Sequence, residues 1–281
     1  MTFIKKSVAM SFLTPLILVS FILFSFKSDK LNVATQPGEE FTYRKITNGA
    51  FTFNEKLEYR CHYGIINAAT ISLEVTGSLE DKNSRKCYHV KAEGKTLKSF
   101  DWAYKVRDKF DSYIDQDALA PIHYTKSVQE DKYIDTDLVN FKHDKKKLYG
   151  AKGTLEMPQY TQDIISALYY VRNLDFSNAK KGDKYPVNVY LDNKIYNLGF
   201  KYDGKETIKT DIGTIKCLRF IPTLVVDRVF KDEDDMTIWV SDDSNKIPIR
   251  VKAEIMIGSI KVDITKYSGL KNEFSSMTKK K

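Results

Sequence analysis

Little in this chain of 281 residues invites the common chemistries. Its three cysteines, Cys61, Cys87 and Cys217, form no C-x-x-C pair, and its four histidines, His62, His89, His123 and His143, form no H-x-x-x-H spacing. The usual zinc frameworks are therefore missing. Cys61 and His62 are strand neighbours that point to opposite faces. Cys87 and His89 share a face, with Cys61 as the one further candidate ligand. Thirteen glycines are spread singly, so no glycine-rich loop is present to cradle a phosphate. No G-x-S-x-G elbow exposes a nucleophilic serine, and the acidic run Asp232-Glu233-Asp234-Asp235 lacks the alternating Asp-x-Asp-x-Asp-Gly loop of a calcium site. No cofactor, metal or catalytic residue is expected. A carboxylate pair for glycoside hydrolysis stays open, because two suitably separated acids can come from anywhere in a fold.

A clustered basic surface is also missing. The formal charge is +8, but Lys5, Lys6 and Lys27 flank the N-terminal apolar run and Lys279-Lys280-Lys281 close the chain. The remainder is nearly balanced, and lysines alternate with acids along most segments. Lys145-Lys146-Lys147 reads as a solvated turn. Nucleic acid, which needs a basic stripe, is not an expected partner.

The one long uncharged run, Ser7 to Phe26, follows Lys5-Lys6 and is closed by Lys27. This is the grammar of an export signal, with an uncleaved anchor as the alternative because the run matches a ~20-residue membrane span. No cysteine follows it for lipid modification. The protein is expected to be exported, to the periplasm or cell envelope. Residues 1–28 form the signal or anchor and 29–50 a polar linker. The three cysteines then read as small buried apolar residues, with a Cys61–Cys87 disulfide as the alternative.

From about residue 51 the dominant period is two. Ile247, Ile249, Val251, Ala253, Ile255 and Ile257 alternate with Pro248, Arg250, Lys252, Glu254 and Met256, the mark of an antiparallel strand with one dry and one wet face. Similar strands are predicted at Phe53–Tyr63, Ala69–Thr76, Cys87–Glu93, Trp102–Ile114, Ile122–Val128, Tyr133–Phe141, Tyr185–Leu191, Lys194–Tyr202, Glu206–Thr210, Gly213–Pro222 and Asp235–Ser241. Gly258-Ser259 breaks the run that ends at Ile257 before Ile260, Val262 and Ile264 resume it. A single helix is predicted from Gln162 to about Asn173, capped by Thr161, with Ile164, Ile165, Leu168, Tyr169 and Val171 at helical spacing. The division is a first β half over 51–150, a helical linker over 151–180, a second β half over 181–270 and a basic tail over 271–281.

The halves share a pattern. Strand, Asp-rich turn, Pro-Ile and strand recur in "YIDQDALAPIHYTK" from Tyr113 and "WVSDDSNKIPIRVK" from Trp239. Asp, Ser and Asn bond their own backbone in turns, so Asp242-Asp243-Ser244-Asn245 reads as a hairpin turn, not as a metal or catalytic loop.

Aromatic residues are abundant, with 17 Tyr, 16 Phe and 2 Trp. Phe100, Trp102, Tyr104 and Phe110 fall at even positions, which as a strand puts them on one face. With Tyr169 and Tyr170 of the helix they suggest an aromatic groove for an apolar ligand, plain core packing being the alternative. The ligand-binding candidates are Phe100, Trp102, Tyr104, Tyr169 and Tyr170. Trp239 is expected to cover the other sheet surface or the helix.

The segments "NEKLEYRCHYGIINAATISLEV", "WAYKVRDKFDSYID", "TQDIISALYYVRNLDF" and "EDDMTIWVSDDSNKIPIRVKAEIMIGSIKVDITKYSGL" resemble, in order, the domain-of-unknown-function 3108 family of exported bacterial proteins. The resemblance covers Phe51 to Leu270 and implies an envelope protein of antiparallel β-structure, with no catalytic residues to carry over. Its architecture is similar to that of half-barrel lipoprotein carriers. The expected fold is all-β and mainly antiparallel, with two related curved halves joined by one central helix. The expected function is non-enzymatic binding of an apolar, lipid-like ligand or an envelope partner. An envelope glycan-acting enzyme or a scaffold is the alternative. Membrane contact is expected through the N-terminal segment alone, and the oligomeric state stays open.

Overall fold

The computed structural model describes residues 41–222, 235–255 and 258–281. The expected signal, most of the polar linker and most of the acidic run Asp232–Asp235 lie outside them, as do Met256 and Ile257.

The first half contributes β1 (Lys56–Tyr63), β2 (Ile66–Lys82), β3 (Arg85–Thr96), β4 (Arg107–Asp115), β5 (Pro121–Glu130), β6 (Tyr133–Lys142), β7 (Lys147–Gly150) and β8 (Gly153–Glu156). After the helix α1 (Ile164–Val171) come β9 (Lys184–Leu191), β10 (Lys194–Lys209), β11 (Gly213–Pro222), β12 (Met236–Ser241), β13 (Pro248–Glu254), β14 (Ser259–Ser268) and β15 (Met277–Lys280). All belong to one sheet, ordered β8-β7-β6-β5-β4-β3-β2-β1-β14-β13-β12-β11-β10-β9, with β15 beside β11. The two meanders meet edge to edge at the antiparallel β1–β14 ladder, where Tyr63 faces Ile260 and Lys56 faces Ser268. The expected class is what is found: antiparallel β-structure in two curved halves with one helix between them in the chain.

The sheet curls until its far edge meets the other half. The Tyr190 hydroxyl of β9 donates to Asp137 of β6 at 2.6 Å, and Lys126 of β5 pairs with Asp192 in the β9–β10 turn. Next to β9, the Gln162 amide donates to the Asn188 carbonyl at 2.8 Å and the Tyr190 amide to the Gln162 carbonyl at 2.7 Å. Side chains and this short segment thus join the edges. The dry face inside is filled by residues such as Leu57, Val75, Val90, Ile114, Phe141, Ile215, Ile249 and Ile264.

Helix α1 is short and starts later than the sequence suggested. Asp163, not Thr161, is its N-cap: one carboxylate oxygen accepts from the Ile165 and Ser166 amides, both at 2.8 Å. The Ser166 hydroxyl accepts from the Asp163 amide in return. Thr161 instead donates to the Pro158 carbonyl. A buried aspartate wins because its second oxygen also takes the Ser112 hydroxyl at 2.6 Å, a partner that no local pattern reveals. At the other end of the helix Arg172 is wholly buried. It donates to both oxygens of Glu55 at 2.7 Å, to the Ala50 carbonyl at 3.0 Å and to the Asn245 carbonyl at 2.9 Å. Helix, N-terminal arm and β12–β13 turn are therefore tied together at one end of the curled sheet, called here the helix end.

The Asp-rich turns are structural, and both are built alike. Asp115 Oδ1 accepts from the amides of Asp117 and Ala118 at 3.0 and 2.7 Å, while Asp243 Oδ1 accepts from those of Asn245 and Lys246 at 3.0 and 3.3 Å. Leu119 and Lys246 both take the left-handed conformation, with φ of 47° and 46°. The turns close through Asp115 amide to Ala120 carbonyl and Ser241 amide to Ile247 carbonyl, at 2.8 and 2.9 Å. The likeness in sequence coincides with a likeness in turn construction.

Cys61, Cys87 and Cys217 are free and buried. Burial pushes each thiol up to about 12.

Candidate functional site

The end of the sheet opposite the helix is built from hairpin tips. The turns after β1 and β5 and the longer β3–β4 connection emerge there side by side, because alternate turns of a meander fall at the same end. Backbone bonds join them into a rim: the Leu97 amide donates to the Ala68 carbonyl at 3.0 Å, and the Asp131 amide to the Lys105 carbonyl at 2.7 Å. Hairpin tips ordinarily carry polar turn residues. These tips carry Ile65, 100 % exposed, Trp102, 85 % exposed, and Ile134, 71 % exposed, with Ile66 and Tyr133 also open to solvent. Successive tips in such a meander are about 10 Å apart, two strand spacings. The result is a row of exposed apolar side chains on neighbouring tips at one end of the sheet.

Beneath the rim, on the dry face, sits an acid pair. Asp108 of β4 and Glu130 of β5 are both buried, and a buried charge without a partner is costly. Asp108 Oδ1 accepts from the Gln129 amide at 3.0 Å, whereas its Oδ2 has no donor among the protein's fixed N–H and O–H groups. The Glu130 carboxyl lies near enough for the Asp108 charge to act on it. Burial pushes Asp108 up to about 6. Burial and the neighbouring Asp108 charge push Glu130 up to about 8. Glu130, pushed up further, is the member that keeps its proton near neutral pH. The Tyr104 hydroxyl reaches Glu130 at 3.5 Å, which connects the pair to the loop that carries Trp102. Lys126 lies close enough to favour both charges, but it is bound to Asp135 at 2.6 Å and to Asp192.

Of the five predicted ligand residues, the structure brings Phe100, Trp102 and Tyr104 to the rim, on a turn and not on a strand. The Phe100 and Asp101 amides both donate to the Leu97 carbonyl, at 2.7 and 3.1 Å. Thr96 Oγ1 donates to Asp101 Oδ1 at 2.6 Å, and Arg107 clasps Asp101 from the far side of the turn. These bonds hold the chain folded, so β4 begins only at Arg107 and the even spacing of the aromatics places them on no common face. Tyr169 and Tyr170 belong to the helix end. Tyr169 is wholly buried against Phe51, ring centroids 4.8 Å apart, and Tyr170 lies under the Arg44 guanidinium. The two sets do not form one groove. Trp239 is buried between β11 and β13, with its indole N–H donating to Glu206 at 2.9 Å.

On the outer face, His89 is held between Glu80 at 2.8 Å and Asp111 at 2.7 Å and stacks on Tyr113. Both ring nitrogens are engaged by carboxylates, which leaves none for a metal or a substrate proton. Among the described residues no group of three or more His, Cys, Asp or Glu side chains is placed to hold a metal ion. At the helix end an open recess of about 430 Å³ is lined by Tyr43, Arg85, Phe141 and Lys142 among others. Arg85 is already spent on Asp115 and on the Tyr43 ring.

Sequence reasoning missed Ile65, Ile134, Asp108 and Glu130. The signals were present: an apolar pair directly after Gly64 in a turn, and acids in register with dry-face neighbours, Asp108 with Phe110 and Ile114, Glu130 with Tyr124 and Val128.

A family profile described as "Protein of unknown function (DUF3108)" matches residues 58–265. Among solved structures, a β-barrel-like protein of the domain of unknown function DUF1849 from Brucella abortus is 11 % identical, with a TM-score of 0.51 over 81 % of this chain and 99 % of that one. A protein from Parabacteroides distasonis, provisionally described as a lipoprotein, is 12 % identical over 81 % of this chain and 100 % of that one, with a TM-score of 0.32. A protein from Bacteroides fragilis with a YmcC-like fold, provisionally described as exported, is 10 % identical over 79 % and 99 %, at 0.35. The first likeness bears on the fold alone, and the other two are too loose to carry an argument. No curated protein matches the chain.

Proposed function

We propose that this chain, which belongs to the DUF3108 family, is an exported envelope protein that works by non-enzymatic binding. It takes an apolar, lipid-like ligand or partner at its hairpin tips. The observation that carries this reading is the exposed rim of Ile65, Trp102 and Ile134, since apolar side chains gathered on adjacent tips gain by being covered. Export rests on the N-terminal pattern of Lys5-Lys6 and the uncharged run that follows.

The enzymatic alternative needs two carboxyls on either side of a bond, with roughly 5–10 Å between them for a sugar. Asp108 and Glu130, the acid pair beneath the rim, are both buried, where a sugar does not reach them. The geometry favours binding.

Native mass spectrometry of the protein purified from its own envelope tests the proposal, with tryptophan emission measured in parallel against envelope lipid extract. The expected result is a retained lipid-sized or partner mass and a blue-shifted emission that Trp102→Ala abolishes. An unliganded mass together with unchanged wild-type emission refutes it.

A further inference from the structure

The rim carries a second kind of side chain that narrows what covers it. Lys98 and Lys105 stand on the β3–β4 loop and Lys132 on the β5–β6 turn, all exposed. The acid beside them in the loop, Asp101, is already held by Arg107 at 2.6 Å. Asp131 is the one exposed acid on these tips with no ion pair among the described residues. An apolar tip surrounded by lysines, with Trp and Tyr at its margin, is the composition that suits the boundary between lipid headgroups and acyl chains. There indole and phenol rings settle at headgroup level, and lysines gain from anionic lipid.

The backbone fits the same environment. The tips are two tight turns and one longer loop, with neighbouring amides and carbonyls tied at Leu97–Ala68, Asp131–Lys105 and Gly64–Ser259. Side chains can therefore enter an apolar layer without dragging many unpaired backbone groups with them. A protein partner would find protruding points about 10 Å apart rather than a flat patch or groove. A bilayer is deformable and accepts such points individually.

We infer that the hairpin-tip end of this protein docks onto an anionic bilayer surface, with Ile65, Trp102 and Ile134 inserted at the boundary and Lys98, Lys105 and Lys132 facing the headgroups. The inference rests on the reading of the rim as a binding surface and names its partner. It adds a membrane contact to the one expected at the N-terminal segment, and it orients the curled sheet with its helix end away from the bilayer.

The test uses the full chain and vesicles of phosphatidylcholine, with and without phosphatidylglycerol. Trp102 and Trp239 are the only tryptophans, so the emission of wild type minus that of Trp102→Phe reports the tip itself, however the N-terminal segment behaves. The expected result is a blue-shifted Trp102 component on anionic vesicles, quenched by lipids brominated in the acyl chain and weakened by salt. Lys98→Gln, Lys105→Gln and Lys132→Gln together should lower anionic-vesicle affinity by roughly 100-fold, on the order of fivefold for each lysine near the surface. Ile65→Ser with Ile134→Ser should abolish quenching while the far-UV spectrum stays unchanged. A Trp102 component unaltered by anionic vesicles but shifted by detergent-dispersed single lipids overturns bilayer docking and leaves the binding reading standing. No response to either overturns both. A stable dimer in solution that Ile65→Ser dissolves would assign the rim to a second copy and also overturn the inference.

Discussion

Replacing Glu130 by Gln should make the protein more stable at alkaline pH, although it removes a hydrogen-bonded group from the interior. Glu130 is held up to about 8 against an ordinary value of 4.5, by burial first and by the Asp108 charge second. Between those two values the folded protein keeps a proton on Glu130 that the unfolded chain has released. Where the folded state binds more protons, stability falls as pH rises. The contribution is thus fully present below about pH 4.5 and is lost progressively up to about pH 8, at roughly 1.4 kcal/mol per pH unit. Across that window the loss amounts to about 5 kcal/mol, an order-of-magnitude figure. Asp108, raised to about 6 from 3.8 by burial, adds a smaller loss in the same direction between those values. In Glu130→Gln a neutral amide stands where the protonated carboxyl stood, and no proton is released. Urea unfolding midpoints measured from pH 5 to pH 9 should fall steeply for the wild type and much less for the variant, with the curves crossing near neutrality. Parallel curves would refute the buried proton on Glu130.

Truncating Arg172 to Met should cost about 3–5 kcal/mol, because Glu55 is then left buried and uncompensated; thermal or urea unfolding reads the loss, and a change below about 1 kcal/mol would contradict the fully buried bond network. Trp239→Ala, which empties a packed site and frees Glu206, should cost about 3–5 kcal/mol. Trp102→Ala, at an exposed tip, should stay within about 0.5 kcal/mol. Asp243→Ala removes the acceptor for the Asn245 and Lys246 amides and for the Ser276 hydroxyl; a loss of about 1–3 kcal/mol with unaltered lipid response is expected from a turn, whereas lost binding at full stability would make the loop functional. Cys61, Cys87 and Cys217 should resist thiol reagents at pH 8 in the native protein and react together on unfolding, since burial holds each near 12.

The fold was legible in the sequence wherever period two was clean. Gly213–Pro222 was predicted to the residue, and Ile247 to Ile264 resolved into β13 and β14 around the break at Gly258. It was less legible where long-range partners decide. β7, β8 and β15 are four residues each, too short for a pattern to declare itself. The predicted strands Lys194–Tyr202 and Glu206–Thr210 are one strand, β10, because the register shift between Tyr202 and Gly204 lets the ladder with β11 run on through the glycine. The turn at Phe100–Tyr104 depends on Arg107 and Thr96 meeting Asp101, a contact that competes with even spacing and wins. The acid pair was legible only in principle. Asp108 and Glu130 sit in dry-face register, but their pairing follows from which strands are neighbours, and no periodicity gives that.

Hydrogen–deuterium exchange of the protein with and without its native envelope membranes tests most directly whether the hairpin-tip end is the working surface. The account predicts slowed exchange confined to residues 64–67, 97–105 and 131–134, reversed in the Ile65→Ser, Ile134→Ser variant. Slowed exchange at the helix end or over the His89 face, with the tips unchanged, would contradict it.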